Sequence, residues 1–474
     1  MKNMIVFSLL LFLAAGAFVE AQQKEEKQFT GFWEGKINTG ALSLRMVLKT
    51  FKNEDGTTGG FLDSPDQGAK NIPVSSVAIT ADSLKFVINA IGASYKGEII
   101  KDSAIAKGKF KQGGMELSLE LKKVNKLTEL VRPQEPQKPY PYNDQDVTFE
   151  NKNANITLAG TFTCPKGDGP FPAVVLVTGS GPQDRNESLL THKPFLVISD
   201  YLTRNGIAVL RYDDRGVAKS GGNFAAATTE DFVTDAQAAV EYLKSRKEVD
   251  PKKIGVAGHS EGGLIAPMVA VNSGDVSFII LLAGPGLPGK NILLLQGKEI
   301  GIANGGKEDE IDKAMKLNEK IYDAILSESD NAMAEKKIKA AYEEYYNSLN
   351  DEEKKDADKQ KQMFAQGIQQ LTSPWFRFFL KFDPRPVLEN VTVPVLALNG
   401  EKDLQVPAKE NLEEIDKALK IAGNKNYKII MLPNLNHLFQ TAKTGSPSEY
   451  GNIEETFSPL ALRIMTEWIL EVTK

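Results

Sequence analysis

Gly258-His259-Ser260-Glu261-Gly262 is a G-x-S-x-G stretch, and its setting makes Ser260 a candidate nucleophile. A strand-like run, 253–257, precedes it, and a helix-like run, 262–271, follows. A sharp strand-to-helix turn favours glycine nearby, lifts the hydroxyl above the sheet edge and aims the positive end of the helix at the oxygen. A serine hydroxyl attacks a carbonyl only when a base takes its proton. There are three histidines, His192, His259 and His437. Around such a turn the partners follow in the order serine, acid, histidine. That leaves His437, in the segment 433–438 after the apolar run 427–432. The acid is expected at the end of the preceding apolar run, in Gly400-Glu401-Lys402-Asp403, with Asp403 chosen and Glu401 as its competitor. A buried carboxylate there would orient the imidazole and stabilise its cation.

The tetrahedral intermediate of acyl transfer needs two donors for its oxyanion. One is expected from the amide of Glu261. The other is expected from Thr178-Gly179-Ser180-Gly181-Pro182, at Ser180, with Gly181 as the alternative. A phosphate-binding loop does not fit, since no Gly-Lys-Ser/Thr follows. His259 is expected to point away from the serine and support the turn, and His192 to lie at the surface, with lining the mouth of the site as the alternative. Asp213 and Asp214 are expected in ion pairs with Arg211 and Arg215 rather than in a metal site. The aromatic run 375–379 would wall an acyl pocket or pack between insert and sheet.

Short apolar runs must carry these residues. They lie at 173–178, 207–212, 254–257, 278–283, 393–399 and 427–432, preceded by likely strand segments at 146–151 and 155–163. Near-continuous apolar runs suit strands buried on both faces, so a mostly parallel sheet flanked by helices is expected. Helices are expected at 231–246, 261–271, 408–422 and 456–472. The Ala-, Lys-, Glu- and Gln-rich stretch at about 290–374 predicts a helical insert of the kind that forms a lid. Residues 22–124 show a different pattern, alternation with tight turns, and predict a small all-β barrel or sandwich. Pro133, Pro136, Pro139 and Pro141 mark a linker over 125–143, with the catalytic domain at 144–474.

The chain has 474 residues, with 57 Lys plus Arg against 62 Asp plus Glu. This balance argues against a polybasic nucleic-acid binder. The single cysteine, Cys164, excludes an intrachain disulfide, a cysteine-based zinc site and an iron–sulfur cluster. No cofactor or metal is expected. Residues 1–21 read as a signal peptide: Lys2, an apolar stretch 4–18, and Val19-Glu20-Ala21 before Gln22. Export to the periplasm or the medium is expected, with no membrane anchor after cleavage. Oligomeric state is left open.

GHSEG, GEKD, the NLNH loop and the TGSGPQDRNE segment together resemble the α/β-hydrolase superfamily over about 146–474. RYDDRGVAKSGG resembles the strand-end motif of its serine-aminopeptidase-like branch, and exported bacterial esterases with a β-rich N-terminal domain look most similar overall. The Gly31–Gly35 opening is similar to the start of lipocalin-like domains. The superfamily resemblance implies a cofactor-free serine hydrolase of esters or amides. One departure stands out: many members carry His-Gly before the oxyanion loop, where this chain has Thr178-Gly179. The leading expectation is a carboxylic-ester hydrolase acting on a small-molecule ester. Its rivals are a peptidase or aminopeptidase with the same triad, and a non-catalytic carbohydrate- or lipid-binding protein.

Overall fold

The computed structural model describes residues 29–38, 43–67, 69–100, 103–127 and 131–474. The expected signal peptide lies outside them. The chain forms two compact units. One holds the described residues up to Val131 with 189–191 and 344–368; the other holds 132–188, 192–343 and 369–474.

The first unit is built on nine antiparallel strands: β1 Phe29–Asn38, β2 Ser43–Lys52, β3 Thr58–Ser64, β4 Ala69–Val74, β5 Ser76–Ile79, β6 Ser83–Ile88, β7 Ala93–Ile100, β8 Ile105–Gln112 and β9 Met115–Val124. Their order is β4-β3-β2-β1-β9-β8-β7-β6-β5, and β3 returns against β5, so the sheet curls toward a barrel. The alternation seen in the sequence puts Trp33, Leu48, Leu84, Phe86, Ile88, Tyr95, Leu119 and Leu121 on the inner face. That period-two pattern is what a sheet with one wet face requires.

The second unit is an eight-stranded sheet: β10 Asn143–Asn151, β11 Ile156–Cys164, β12 Phe171–Val177, β13 Ala208–Tyr212, β14 Val249–His259, β15 Phe278–Leu282, β16 Val395–Gly400 and β17 Tyr427–Leu432. The order is β10-β11-β13-β12-β14-β15-β16-β17. β10, β11 and β13 pair antiparallel, and β13 to β17 are parallel. Helices α1 Pro194–Arg204, α2 Thr229–Lys244 and α3 Gly262–Asn272 connect the first strands. Every residue of β13 and β15 is buried, matching the continuous apolar runs.

Between β15 and β16 the insert forms α4 Gly289–Ala303, α5 Glu308–Ser327, α6 Asn331–Ser348, α7 Asp351–Leu371, α8 Pro374–Lys381 and α9 Arg385–Leu388. It is helical, as expected, but continues through α8 and α9 beyond 374, because Ser373 caps a fresh helix: its hydroxyl accepts from the Phe376 amide. α10 Ala408–Ile421 and α11 Pro459–Val472 complete the layers. From Arg132 on, the proline-rich stretch is tied into this unit. The Arg132 guanidinium donates to the carbonyls of Ile453 and Gly451, and Gln134 accepts the amides of Thr456 and Phe457. No helix among the described residues is long and apolar enough to cross a membrane.

Candidate active site

Ser260 sits between β14 and α3 with φ +52°, a left-handed conformation costly for a residue with a Cβ. The fold holds it there. Its amide donates to the Leu282 carbonyl of β15 at 2.8 Å, and its carbonyl accepts from Gly263 at 2.8 Å. The flanking glycines are needed for space. A Cβ on Gly258 would lie 1.9 Å from the Gly262 carbonyl oxygen, and one on Gly262 would lie 2.3 Å from that of Val177. This close approach is the physical content of the G-x-S-x-G spacing.

His437 lies in the loop after β17, and Asn436 shapes that loop. The Asn436 side-chain oxygen accepts the amides of Leu438 and Gln440, and its amide group donates to Gln440 Oε1. His437 Nδ1 stands 2.8 Å from Asp403 Oδ2, and both residues are buried. The other carboxylate oxygen, Oδ1, accepts the amides of Gln405 and Val406 at 2.8 Å each. Asp403 is thus held by its own turn, with one oxygen left for the imidazole. Its competitor Glu401 is exposed and instead accepts the Asn434 amide at 2.9 Å. The Ser260 hydroxyl makes no hydrogen bond to a described residue. His437 reaches the serine's neighbourhood through His259: the two rings lie 4.8 Å apart between centroids, and His259 Nε2 donates to the His437 carbonyl at 2.9 Å. Links between nucleophile and base often tighten only when substrate is bound.

The loop after β12 lies against Ser260, since a Cβ on Gly179 would stand 3.2 Å from that of Ser260. Gly179 gives its amide to Glu187 Oε1 at 2.8 Å and is spent as a donor. The amides of Ser180, Gly181 and Glu261 donate to no described residue. Asp214 braces the loop from below, accepting the Thr178 hydroxyl at 2.8 Å and the Gln183 amide at 2.9 Å. Burial pushes its carboxyl well above the ordinary value, against the pull of those two donors. Asp214 therefore does not form the expected ion pair. Asp213 pairs with Arg185 instead, while Arg215 binds Asp231 and Asp235. Sequence neighbours at a strand end point to opposite faces, so adjacency misassigned these partners.

Two further side chains behave differently from expectation. His192 is fully buried, not at the surface: Nε2 stands 3.1 Å from the Tyr450 carbonyl oxygen and 3.0 Å from Gln440 Nε2, and Nδ1 faces the Thr456 hydroxyl. Burial, helped by Arg132, drops its proton affinity to about 4. Trp375 of α8 donates from Nε1 to Glu261 Oε1 at 2.9 Å, and the Thr229 hydroxyl donates to the same oxygen at 2.7 Å. Burial pushes the Glu261 carboxyl up to about 7, with both donors opposing. No sequence signal joined Trp375 to Glu261, because the contact spans the whole insert.

A mostly parallel sheet with a strained serine turn at the end of its central strand defines an α/β-hydrolase. Residues 193–441 match the family described as serine aminopeptidase, S33, and the chain belongs to it. The chain is 29% identical over 308 residues to Esterase EstD of Thermotoga maritima, a match spanning 64% of this chain and 63% of that relative's length. Among solved structures, the esterase PF2001 of Pyrococcus furiosus is similar at a TM-score of 0.41 and 15% identity, covering 73% of this chain and 99% of that one. Est1E of Butyrivibrio proteoclasticus, with ferulic acid bound, is similar at 0.39 and 18% identity, covering 69% and 99%.

Proposed function

We propose that the protein hydrolyses carboxylic esters through an acyl-enzyme on Ser260. The observation that carries this reading is the buried His437–Asp403 contact of 2.8 Å, in a loop bonded to the residue next to a strained serine. His437 Nε2 takes the Ser260 proton as Oγ bonds to the ester carbonyl carbon. The carbonyl oxygen gains the electron pair and is met by the Glu261 and Ser180 amides. The C–O bond to the alcohol then breaks, and His437 returns the proton to the leaving oxygen. Water repeats the sequence, frees the acid and restores Ser260.

Esters are favoured over aminoacyl amides by the state of Glu261. An aminopeptidase needs a carboxylate open to the substrate ammonium, and Glu261 is buried and occupied by Thr229 and Trp375. The relative called an esterase supports the same choice. Ser260→Ala is expected to lower kcat on small activated esters by about 10⁶-fold; retention of most activity would end this reading. Kinetics on matched ester and aminoacyl-amide substrates separate it from the peptidase, and labelling by an active-serine phosphonate separates it from a non-catalytic binding protein.

Export is part of the proposal, supported by the apolar stretch 4–18 behind Lys2. N-terminal sequencing of the protein from the periplasm or medium should begin at Gln22; an intact Met1 there would refute cleavage.

A further inference from the structure

Glu187 and His259 form a second buried carboxylate–imidazole pair, apart from the triad. Glu187 Oε1 stands 2.9 Å from His259 Nδ1 and also accepts the Gly179 amide at 2.8 Å. The other ring nitrogen, Nε2, stands 2.9 Å from the His437 carbonyl oxygen. A carbonyl oxygen can only accept, and Glu187 Oε1 already accepts the Gly179 amide, so hydrogen bonds to both oxygens call for a hydrogen on each ring nitrogen. A ring with both nitrogens protonated is an imidazolium. One side chain thereby joins three segments: the loop after β12 through Glu187, the serine turn through its own backbone, and the histidine loop through a carbonyl.

We propose that His259 is held as a lasting imidazolium by Glu187, and that the pair is a positioning device fixing the Gly179–Gly181 loop and the His437 loop to the nucleophile turn. The proposal rests on the esterase reading for its catalytic consequence, but not for the charge state.

Two further observations agree. Glu187 adopts φ +52°, a strained conformation for a glutamate, and the turn at Asp184 keeps it there: Asp184 accepts the amides of Glu187, Asn186 and Ser188. The groups acting on the ring are also arranged for a cation. Burial opposes the charge, while Glu187, the His437 carbonyl and Asp403 favour it and raise its proton affinity above the ordinary value. The His437 ring, 4.8 Å away, and the Phe439 ring, 6.4 Å away, complete the surroundings.

The charge state can be read without substrate. The chain has three histidines, so the full-length protein labelled with ¹⁵N-histidine gives a simple imidazole spectrum. At about pH 8, well above the ordinary histidine value, one ring should show two protonated nitrogens, and that signal should vanish in His259→Gln. A His259 ring with one bare nitrogen at that pH would overturn the proposal, because the shared proton would then sit on Glu187. The second arm is Glu187→Gln, whose side-chain oxygen can still accept from Gly179 and His259 but carries no charge. It should lower kcat by about 10- to 100-fold, the scale of a small misplacement, with little change in KM. It should also add an alkaline limb absent from the parent enzyme, as His259 now deprotonates and releases the His437 carbonyl. A loss equal at every pH would overturn the role assigned to the charge. Failure of the spectrum with Ser260 still essential would reject the imidazolium and leave the esterase reading standing; an imidazolium in an enzyme indifferent to Ser260→Ala would do the reverse.

Discussion

Two carboxylate–histidine pairs lie side by side here, and they differ in what the second ring nitrogen meets. His437 is held by Asp403 at 2.8 Å and His259 by Glu187 at 2.9 Å, and all four residues are buried. Among the described residues, the other nitrogen of His437 meets no hydrogen-bond partner, whereas that of His259 is committed to a carbonyl. An imidazole can act as a base only through a nitrogen that nothing else occupies. Proximity to a carboxylate is therefore a poor marker of a histidine able to act as a base, and an unoccupied edge is the better one. His192 is a third case: both nitrogens are engaged, no carboxylate among the described residues pairs with it, and burial lowers its proton affinity to about 4.

The sharpest way to break this contrast is Asp403→Asn. An amide in place of the carboxylate holds the wrong tautomer of His437, and kcat should fall by about 10⁴-fold. A loss as small as that expected for Glu187→Gln would make the two pairs equivalent. The buried carboxyl beside the serine gives the next effect, on stability. Glu261 has a folded value of about 7 against an ordinary 4.5, so the folded state retains a proton the unfolded state has lost. Its contribution is present below pH 4.5 and is lost as pH rises through about 7. Glu261→Gln should therefore raise stability at about pH 8, relative to the parent, by on the order of 2 kcal/mol, read from denaturant midpoints. His192 has the opposite slope, because its folded value of about 4 lies below the ordinary 6.5. The unfolded chain takes up the proton first, so stability falls as pH drops from 6.5 toward 4. His192→Gln should flatten that acid limb, again by on the order of 2 kcal/mol. The smallest effect is Trp375→Phe, which removes one donor from Glu261 and should cost about 1 kcal/mol, with kcat changing by less than the Glu187 substitution brings.

The parts of this site legible in the sequence were those fixed by local geometry. Gly258 and Gly262 announce the serine turn because no side chain fits there, and the fully buried strands betray themselves as unbroken apolar runs. Asp403 and His437 could be chosen because each follows such a run. What stayed hidden depends on direction and distance. The partners of Asp213 and Asp214 lie across a loop rather than beside them in sequence, and His192 looked polar enough for the surface until the fold supplied Tyr450 and Thr456. The Glu187–His259 pair joins residues far apart in sequence, with no spacing rule to connect them.

The position of the insert has its own consequence. β15 and β16 are adjacent parallel strands, with Leu282 opposite Leu398, so the chain leaves the sheet and returns to it at neighbouring places. Chain added there is a closed excursion whose entropic cost grows only with the logarithm of its length, about 0.6 kcal/mol per doubling. Length can therefore be added or removed between β15 and β16 at small entropic cost while their pairing stays unchanged, and among the described residues only the end of the insert, where Trp375 reaches Glu261, is bound to the serine turn.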